Sequence, residues 1–302
     1  MMENLDRKQD AILITGPTAS GKSALAVRLA AEHGGVVINA DSMQVYDTLN
    51  VLTARPRPGD MDGIEHRLYG HVPARAAYST GDWLREATAL VGELRIRGRL
   101  PVFVGGTGLY FRALTGGLSD MPTIPDDIRE RVRARLVAEG AEALHRDLAK
   151  CDPQTAARLR PSDGQRILRA LEVVEATGKS ISAFQSASGP TLIDPERAEK
   201  IVVLPDRAVL AARINRRFAM MLKAGAVEEV QALLAQHVSP AMPVMKAIGV
   251  PQITAMLAGE MREAEVIERG AAATRQYAKR QMTWFRNQLD ESWRRIDPHS
   301  GD

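Results

Sequence analysis

Ala11-Ile12-Leu13-Ile14-Thr15 runs directly into Gly16-Pro17-Thr18-Ala19-Ser20-Gly21-Lys22-Ser23. The first five residues form a short apolar run stopped by glycine, which reads as a buried strand. The next eight fit G-x-x-x-x-G-K-[ST], and Ser23 to Ala31 continues with apolar residues at helical spacing. A strand, a glycine loop and a helix in this register make a phosphate-binding loop. Successive backbone N–H groups and the helix N-terminus face an anion there, and Lys22 reaches its oxygens. The Ser23 hydroxyl is placed to ligate Mg²⁺. A diphosphate or triphosphate is therefore expected on Gly16, Pro17, Thr18, Ala19, Ser20, Gly21, Lys22 and Ser23, and the motif does not distinguish the two.

Outward from this loop the alternation continues. Val36-Val-Ile38 and Pro101-Val-Phe-Val104 read as strands, with a helix over Leu84 to Arg95 between them, and Lys200-Ile-Val-Val-Leu204 reads as a further strand. That pattern predicts an α/β fold with a P-loop NTPase-like core: a parallel sheet flanked by helices. From Pro125 to Ser188 no strand is evident. Ile128, Val132 and Leu136 mark one amphipathic helix, and Ile167, Leu168, Leu171 and Val174 a second, stopped by Thr177-Gly178. The expected organisation is a core over 1–124 and 197–302 interrupted by an all-helical insertion over 125–196. After Leu204 the chain reads as helical to its end, with breaks near Ser239-Pro240 and Gly249.

The chemistry beside the loop comes from two strand ends. Asp41 follows the second strand in Asn39-Ala-Asp-Ser-Met-Gln44, and Thr107 follows the third in Gly105-Gly-Thr-Gly108. In a doubly wound sheet the carboxyl ends of neighbouring strands meet at the ligand crevice, so both are expected beside the phosphate cradle. Asp41 reads equally well as a functional carboxylate or as a helix N-cap.

Composition bounds the rest. The 302 residues are 45% hydrophobic and 25% charged, with a formal charge of +3. The mild excess of base permits a nucleic-acid partner without requiring one. Arginine is concentrated in Arg129 to Arg135, Arg166 to Arg169 and Arg275 to Arg286. One cysteine, Cys151, excludes an internal disulfide and a cysteine-rich zinc site. No run is long and apolar enough to span a membrane, and the N-terminal residues resemble neither a signal nor a transit peptide. A cytoplasmic monomer is the expectation.

Six stretches together resemble the tRNA dimethylallyltransferase (isopentenyltransferase) family in its bacterial form: Gly16 to Ser23, Asp41 to Tyr46, Val104 to Tyr110, Gln165 to Val173, Arg213 to Phe218 and Thr274 to Gln281. They occur in the family's order, and only the first is shared widely. The resemblance implies a helical insertion that grips the tRNA anticodon stem-loop. It also implies transfer from dimethylallyl diphosphate, with Mg²⁺, to N6 of the adenine 3′ of the anticodon. By the same resemblance Asp41 is the general base, Thr107 contacts RNA and the reacting site, and Arg213 attends the diphosphate, with Arg217 the alternative in a shifted register. Asp41, Ser42, Met43, Gln44, Thr107, Arg129, Gln165, Arg166, Ile167, Leu168, Arg169, Arg275, Lys279 and Arg280 match stretches that touch tRNA. Three segments depart from the family's usual pattern: Leu52-Thr-Ala-Arg-Pro56, His66-Arg-Leu68 and Gly249-Val-Pro-Gln252. Two readings compete with this one, a P-loop small-molecule or nucleotide kinase and an ATP-gated RNA-binding module.

Overall fold

A computed structural model describes residues 9–119, 121–185 and 189–297. Those residues divide into two compact units. One runs to Thr115 and resumes at Leu192; the other is Gly116–Thr191.

The larger unit carries a six-stranded, wholly parallel sheet. Its strands are β1 (Ala11–Thr15), β2 (Val36–Asn39), β3 (His66–Arg67), β4 (Pro101–Gly105), β5 (Ala198–Val203) and β6 (Arg294–Ile296), in the order β3-β2-β4-β1-β5-β6. Every residue of β1, β2 and β4 is buried, which explains their unbroken apolar runs. One face of the sheet packs on α1 (Lys22–Glu32) through Ile12, Ile14, Val37, Val102 and Val104. The opposite face supports α2 (Thr80–Ile96) and α3 (Gly108–Gly116) around Trp83, Phe103 and Tyr110. Ser79 starts α2 with a capping box to Asp82.

The smaller unit is helical: α4 (Asp126–Glu139), α5 (Ala141–Cys151), α6 (Pro153–Ala156), α7 (Gly164–Thr177) and α8 (Ile181–Gln185). It has its own core of Val132, Leu144, Leu148, Ile167, Leu171 and Val173. Asp163 caps the start of α7, and Gly178 ends it in the left-handed conformation at φ 67°. Residues 192–196, expected to belong to the insertion, sit with the sheet instead. The Leu192 and Ile193 amides both donate to the Leu114 carbonyl, and Ile193 is buried in the main core.

The larger unit is completed by α9 (Arg207–Met221), α10 (Val227–Ala235), α11 (Val250–Leu257) and α12 (Glu263–Gln288). A π-turn over Leu222–Ala226 joins α9 to α10 through Gly225 at φ 105°. The expectation of helix to the end fails after α12. Arg294–Ile296 adds a sixth strand beside β5, with Ile201 opposite Arg294. The two-residue β3 was also missed; it is too short to show a period.

Candidate active site

The two glycine loops, at the carboxyl ends of β1 and β4, lie side by side because the strands they follow are hydrogen-bonded neighbours. In the first loop Gly21 turns the chain into α1 at φ 92°, a conformation that favours glycine. The Lys22 ammonium folds back and donates to the Pro17 carbonyl at 3.2 Å. Burial lowers its pKa to about 8, Arg217 pushes in the same direction, and the charge of Asp41 only partly offsets them. The Ser20 hydroxyl is buried with no hydrogen-bond partner among the described residues. A cation under a desolvation penalty beside an orphaned hydroxyl is an environment that an anion would relieve.

Asp41 is held by its own strand. Asn39, fully buried at the end of β2, accepts from the Asp41 amide at 2.9 Å and donates to the Asp41 and Leu68 carbonyls at 3.0 Å each. Its carbonyl in turn accepts from the Trp83 indole at 2.9 Å. Asp41 Oδ1 accepts from the Met43 amide at 2.9 Å, so Asp41 closes a turn rather than capping a helix. Oδ2 makes no hydrogen bond among the described residues. After burial, the Asp41 charge raises the pKa of Tyr69, Tyr110 and Tyr277, which stay protonated phenols. Thr107 stands beside Asp41: its Oγ1 accepts from the Ser42 amide at 3.0 Å, and its amide donates to the Ala40 carbonyl at 3.2 Å. That approach requires Gly105, where a Cβ would fall 2.0 Å from the Ala40 carbonyl oxygen.

A cleft of about 300 Å³ opens over these groups, lined by Thr18, Asp41, Ser42 and Met43 on the sheet side and by α9 and α12 opposite. Arg217 enters it from α9 and donates to the Thr18 hydroxyl. Its surroundings pull its pKa below the usual guanidinium value through burial, with Asp41 acting against that shift. Arg217 therefore reaches the cradle. Arg213, one turn earlier on α9, is half-buried and lines neither this cleft nor the larger cavity beyond it. Lys246, Tyr277 and Arg280 complete the polar wall, while Leu52, Ile214, Phe218, Met221 and Ile248 make an apolar one.

Several expected RNA contacts are redistributed. The Gln44 amide nitrogen donates to the Thr53 and Ala54 carbonyls at 2.9 and 3.2 Å, so it holds a loop and does not face the cleft. Ile167 and Leu168 point into the helical core, 0% and 8% exposed, because they occupy the inward face of α7. Gln165 and Arg166 are exposed on that helix, and Arg169 is half-exposed, paired with Glu172 at 3.3 Å. Arg129 is half-exposed, 4.0 Å from Asp126. On α12, Arg280 faces the cleft whereas Arg275 and Lys279 line a separate cavity. These three cations do not share a face.

The residue that sequence reasoning missed is Gln281. It is 6% exposed, accepts from the Thr18 amide at 3.0 Å and donates to the Gly106 carbonyl at 2.9 Å. Its helical spacing with Thr274 and Tyr277 marks the inward face of α12, but nothing local signals that it bridges two loops.

Comparison with known proteins identifies the family. The family described as IPP transferase matches residues 44–288, and the one described as isopentenyl transferase matches residues 9–72. A tRNA dimethylallyltransferase from Rhizobium meliloti (strain 1021) is 72% identical over 98% of both chains. The chain belongs to the tRNA dimethylallyltransferase family. Among solved tRNA dimethylallyltransferase relatives, a full-length tRNA isopentenylpyrophosphate transferase from Bacillus halodurans is 35% identical, covering 96% of this chain and 90% of that one, with a TM-score of 0.68. A eukaryotic dimethylallyltransferase acting on tRNA is 28% identical, with a TM-score of 0.76, over 91% of this chain and 69% of that one. No helix among the described residues is long and apolar enough to cross a membrane.

Proposed function

We propose that this chain transfers the dimethylallyl group of dimethylallyl diphosphate to N6 of the adenine immediately 3′ of a tRNA anticodon. The observation that carries the reading is the sharing of one cleft by Asp41, with an unbonded carboxylate oxygen, and Arg217, beside the half-buried, partly desolvated Lys22. Family membership favours this over a kinase.

Adenine N6 is a weak nucleophile because its lone pair is delocalised into the ring. As the bond from N6 to the allylic carbon forms, the carbon–oxygen bond to diphosphate breaks, and the N6 proton passes to Asp41. Negative charge grows on the departing diphosphate. The loop amides, Lys22 and Arg217 stabilise it, the guanidinium through its fork of donors. Arg217 takes the role that the family resemblance assigned to Arg213. Thr107 fixes the Asp41 turn through Ser42. The five-carbon chain packs against Phe218, Met221 and Ile248, and the cleft shields the allylic carbon from water.

The exposed Ser23 hydroxyl would offer a Mg²⁺ ion an oxygen ligand, while the open amides at the start of α1 would hold the diphosphate. No cluster of three acidic, histidine or cysteine side chains able to cage a metal occurs among the described residues. When bound, the ion supplies further neutralisation of the leaving group. The RNA is the anticodon stem-loop, its target base drawn out of the stack. Ser42, Met43 and Arg280 meet that base in the cleft, and Gln165, Arg166, Arg169 and Arg129 offer polar contacts on the helical unit. The enzyme acts as a cytoplasmic monomer.

The test is incubation of the protein with Mg²⁺, dimethylallyl diphosphate and unmodified anticodon stem-loop RNA, read by nucleoside mass spectrometry. Dimethylallyladenosine is the expected product. ATP consumption with a small substrate and no modified nucleoside would replace this reading with a kinase.

A further inference from the structure

Beyond Ile214, which lines both spaces, lies a second and larger cavity of about 510 Å³. It is formed by α9, α12 and the ends of β5 and β6, all in the sheet-bearing unit. Its volume is within the range of small-molecule sites. Five cations line it: Arg207, Arg275, Lys279, Arg286 and Arg295. No carboxylate does. Arg275 donates to the neutral Asn215 side chain. The other four make no ion pair among the described residues. Asp206, next in sequence to Arg207, is occupied as the cap of α9, accepting from the Ala208 and Val209 amides at 2.8 and 3.2 Å. Between the cations the wall is hydrocarbon, from Leu204, Leu210, Met282 and Phe285.

We propose that this cavity binds an isoprenoid diphosphate longer than five carbons. Arg275 is half-buried and the other four are exposed, so five positive groups converge on one cavity without a carboxylate and suit a multiply charged anion, guanidinium groups matching phosphate oxygens. The apolar wall calls for a hydrocarbon body on the same molecule. An RNA backbone supplies the phosphates without the hydrocarbon. A single metabolite phosphate leaves the wall empty. The five-carbon donor has its own cradle at Lys22, with its chain in the Asp41 cleft. The two sites differ in size, with about 300 Å³ at Asp41 and about 510 Å³ here, and the longer chain belongs in the larger.

Geranyl diphosphate is the probe. Calorimetric titration of the full chain with it, at saturating dimethylallyl diphosphate and Mg²⁺, is expected to show one equivalent bound. The double variant Arg207→Glu/Arg295→Glu is expected to weaken that binding about tenfold or more, and Met282→Trp, which fills the apolar wall, to weaken it independently. Both variants keep the affinity for dimethylallyl diphosphate and the transferase rate of the wild type. Three results overturn the proposal: no binding of geranyl diphosphate, displacement of it by dimethylallyl diphosphate, or charge reversal that raises the KM for RNA while leaving geranyl diphosphate bound. The cavity's assignment rests on the proposed reaction only through the competitor. If dimethylallyl diphosphate itself fails to bind, that reading falls, and titration with geranyl diphosphate alone still tests the cavity.

Discussion

Gln281, near the end of α12, accepts a hydrogen bond at 3.0 Å from the amide of Thr18, 263 positions earlier in the chain. Its other amide atom donates to the Gly106 carbonyl at 2.9 Å. One side chain therefore sets the spacing between the loop for the leaving group and the loop that carries Thr107. Gln281→Leu removes both bonds and leaves buried loop polar groups unpaired, which costs about 1–3 kcal/mol each. The expected result is a fall in kcat/KM for dimethylallyl diphosphate of about 10- to 100-fold, with RNA affinity unchanged. Gly106→Ala places a Cβ 2.2 Å from Gln281 Nε2 and is expected to be non-additive with it. Steady-state kinetics on the two single variants and the double variant decide this.

Asp41→Asn keeps the acceptor for the Met43 amide but not the base. Turnover is expected to drop by about 10²- to 10⁴-fold, with dissociation constants for RNA and donor close to wild type. Single-turnover assays beside direct binding separate the two effects. A loss confined to RNA binding would remove Asp41 from the chemistry.

Arg217→Gln and Arg213→Gln form a paired comparison one helical turn apart. The Arg217 change removes the guanidinium from Thr18 and the cleft, and is expected to raise the KM for dimethylallyl diphosphate about 10- to 100-fold. The Arg213 change is expected to have a clearly smaller effect. The reverse order would restore the register first read from the sequence.

Lys22 gives the site a pH signature. In the ligand-free protein burial holds its pKa near 8, below its ordinary value of 10.5. A bound diphosphate raises it again, so binding above about pH 8 takes up a proton and weakens as pH rises. Because the unfolded chain keeps that proton up to 10.5, the partly desolvated charge penalises the ligand-free fold below pH 8. That penalty fades between about 8 and 10.5. Calorimetry of diphosphate binding at pH 9 in buffers of different ionisation enthalpy measures the uptake, and Lys22→Met is expected to abolish it.

The central strands and the phosphate loop were legible because their signals are local: unbroken apolar runs, glycines at fixed offsets and a helix in register. Asp41 and Thr107 were legible because parallel strands bring their carboxyl ends together. Gln281 was not, since a bridge between loops depends on how a distant helix docks and leaves no periodic trace. Arg217 and Arg213 share a helix and a residue type, so only the rotation of α9 against the sheet separates them. The same holds for Arg280 against Arg275 and Lys279 on α12. Ile167 and Leu168 lay in a stretch matched to RNA contact, yet their apolar side chains followed the helical period into a core.

The Leu114 carbonyl accepts both the Leu192 and Ile193 amides, so the chain departs from the sheet-bearing unit and returns to it at one point. Everything between is topologically a detour, and its two ends are already joined whether it is long or short. Over evolutionary time such a segment can lengthen, shrink or change its surface without altering the pairing of β5 with β1. Change on the surface of the detour and preservation of Asp41 and Thr107 can then proceed on separate stretches of one gene, each tolerant of change in the other.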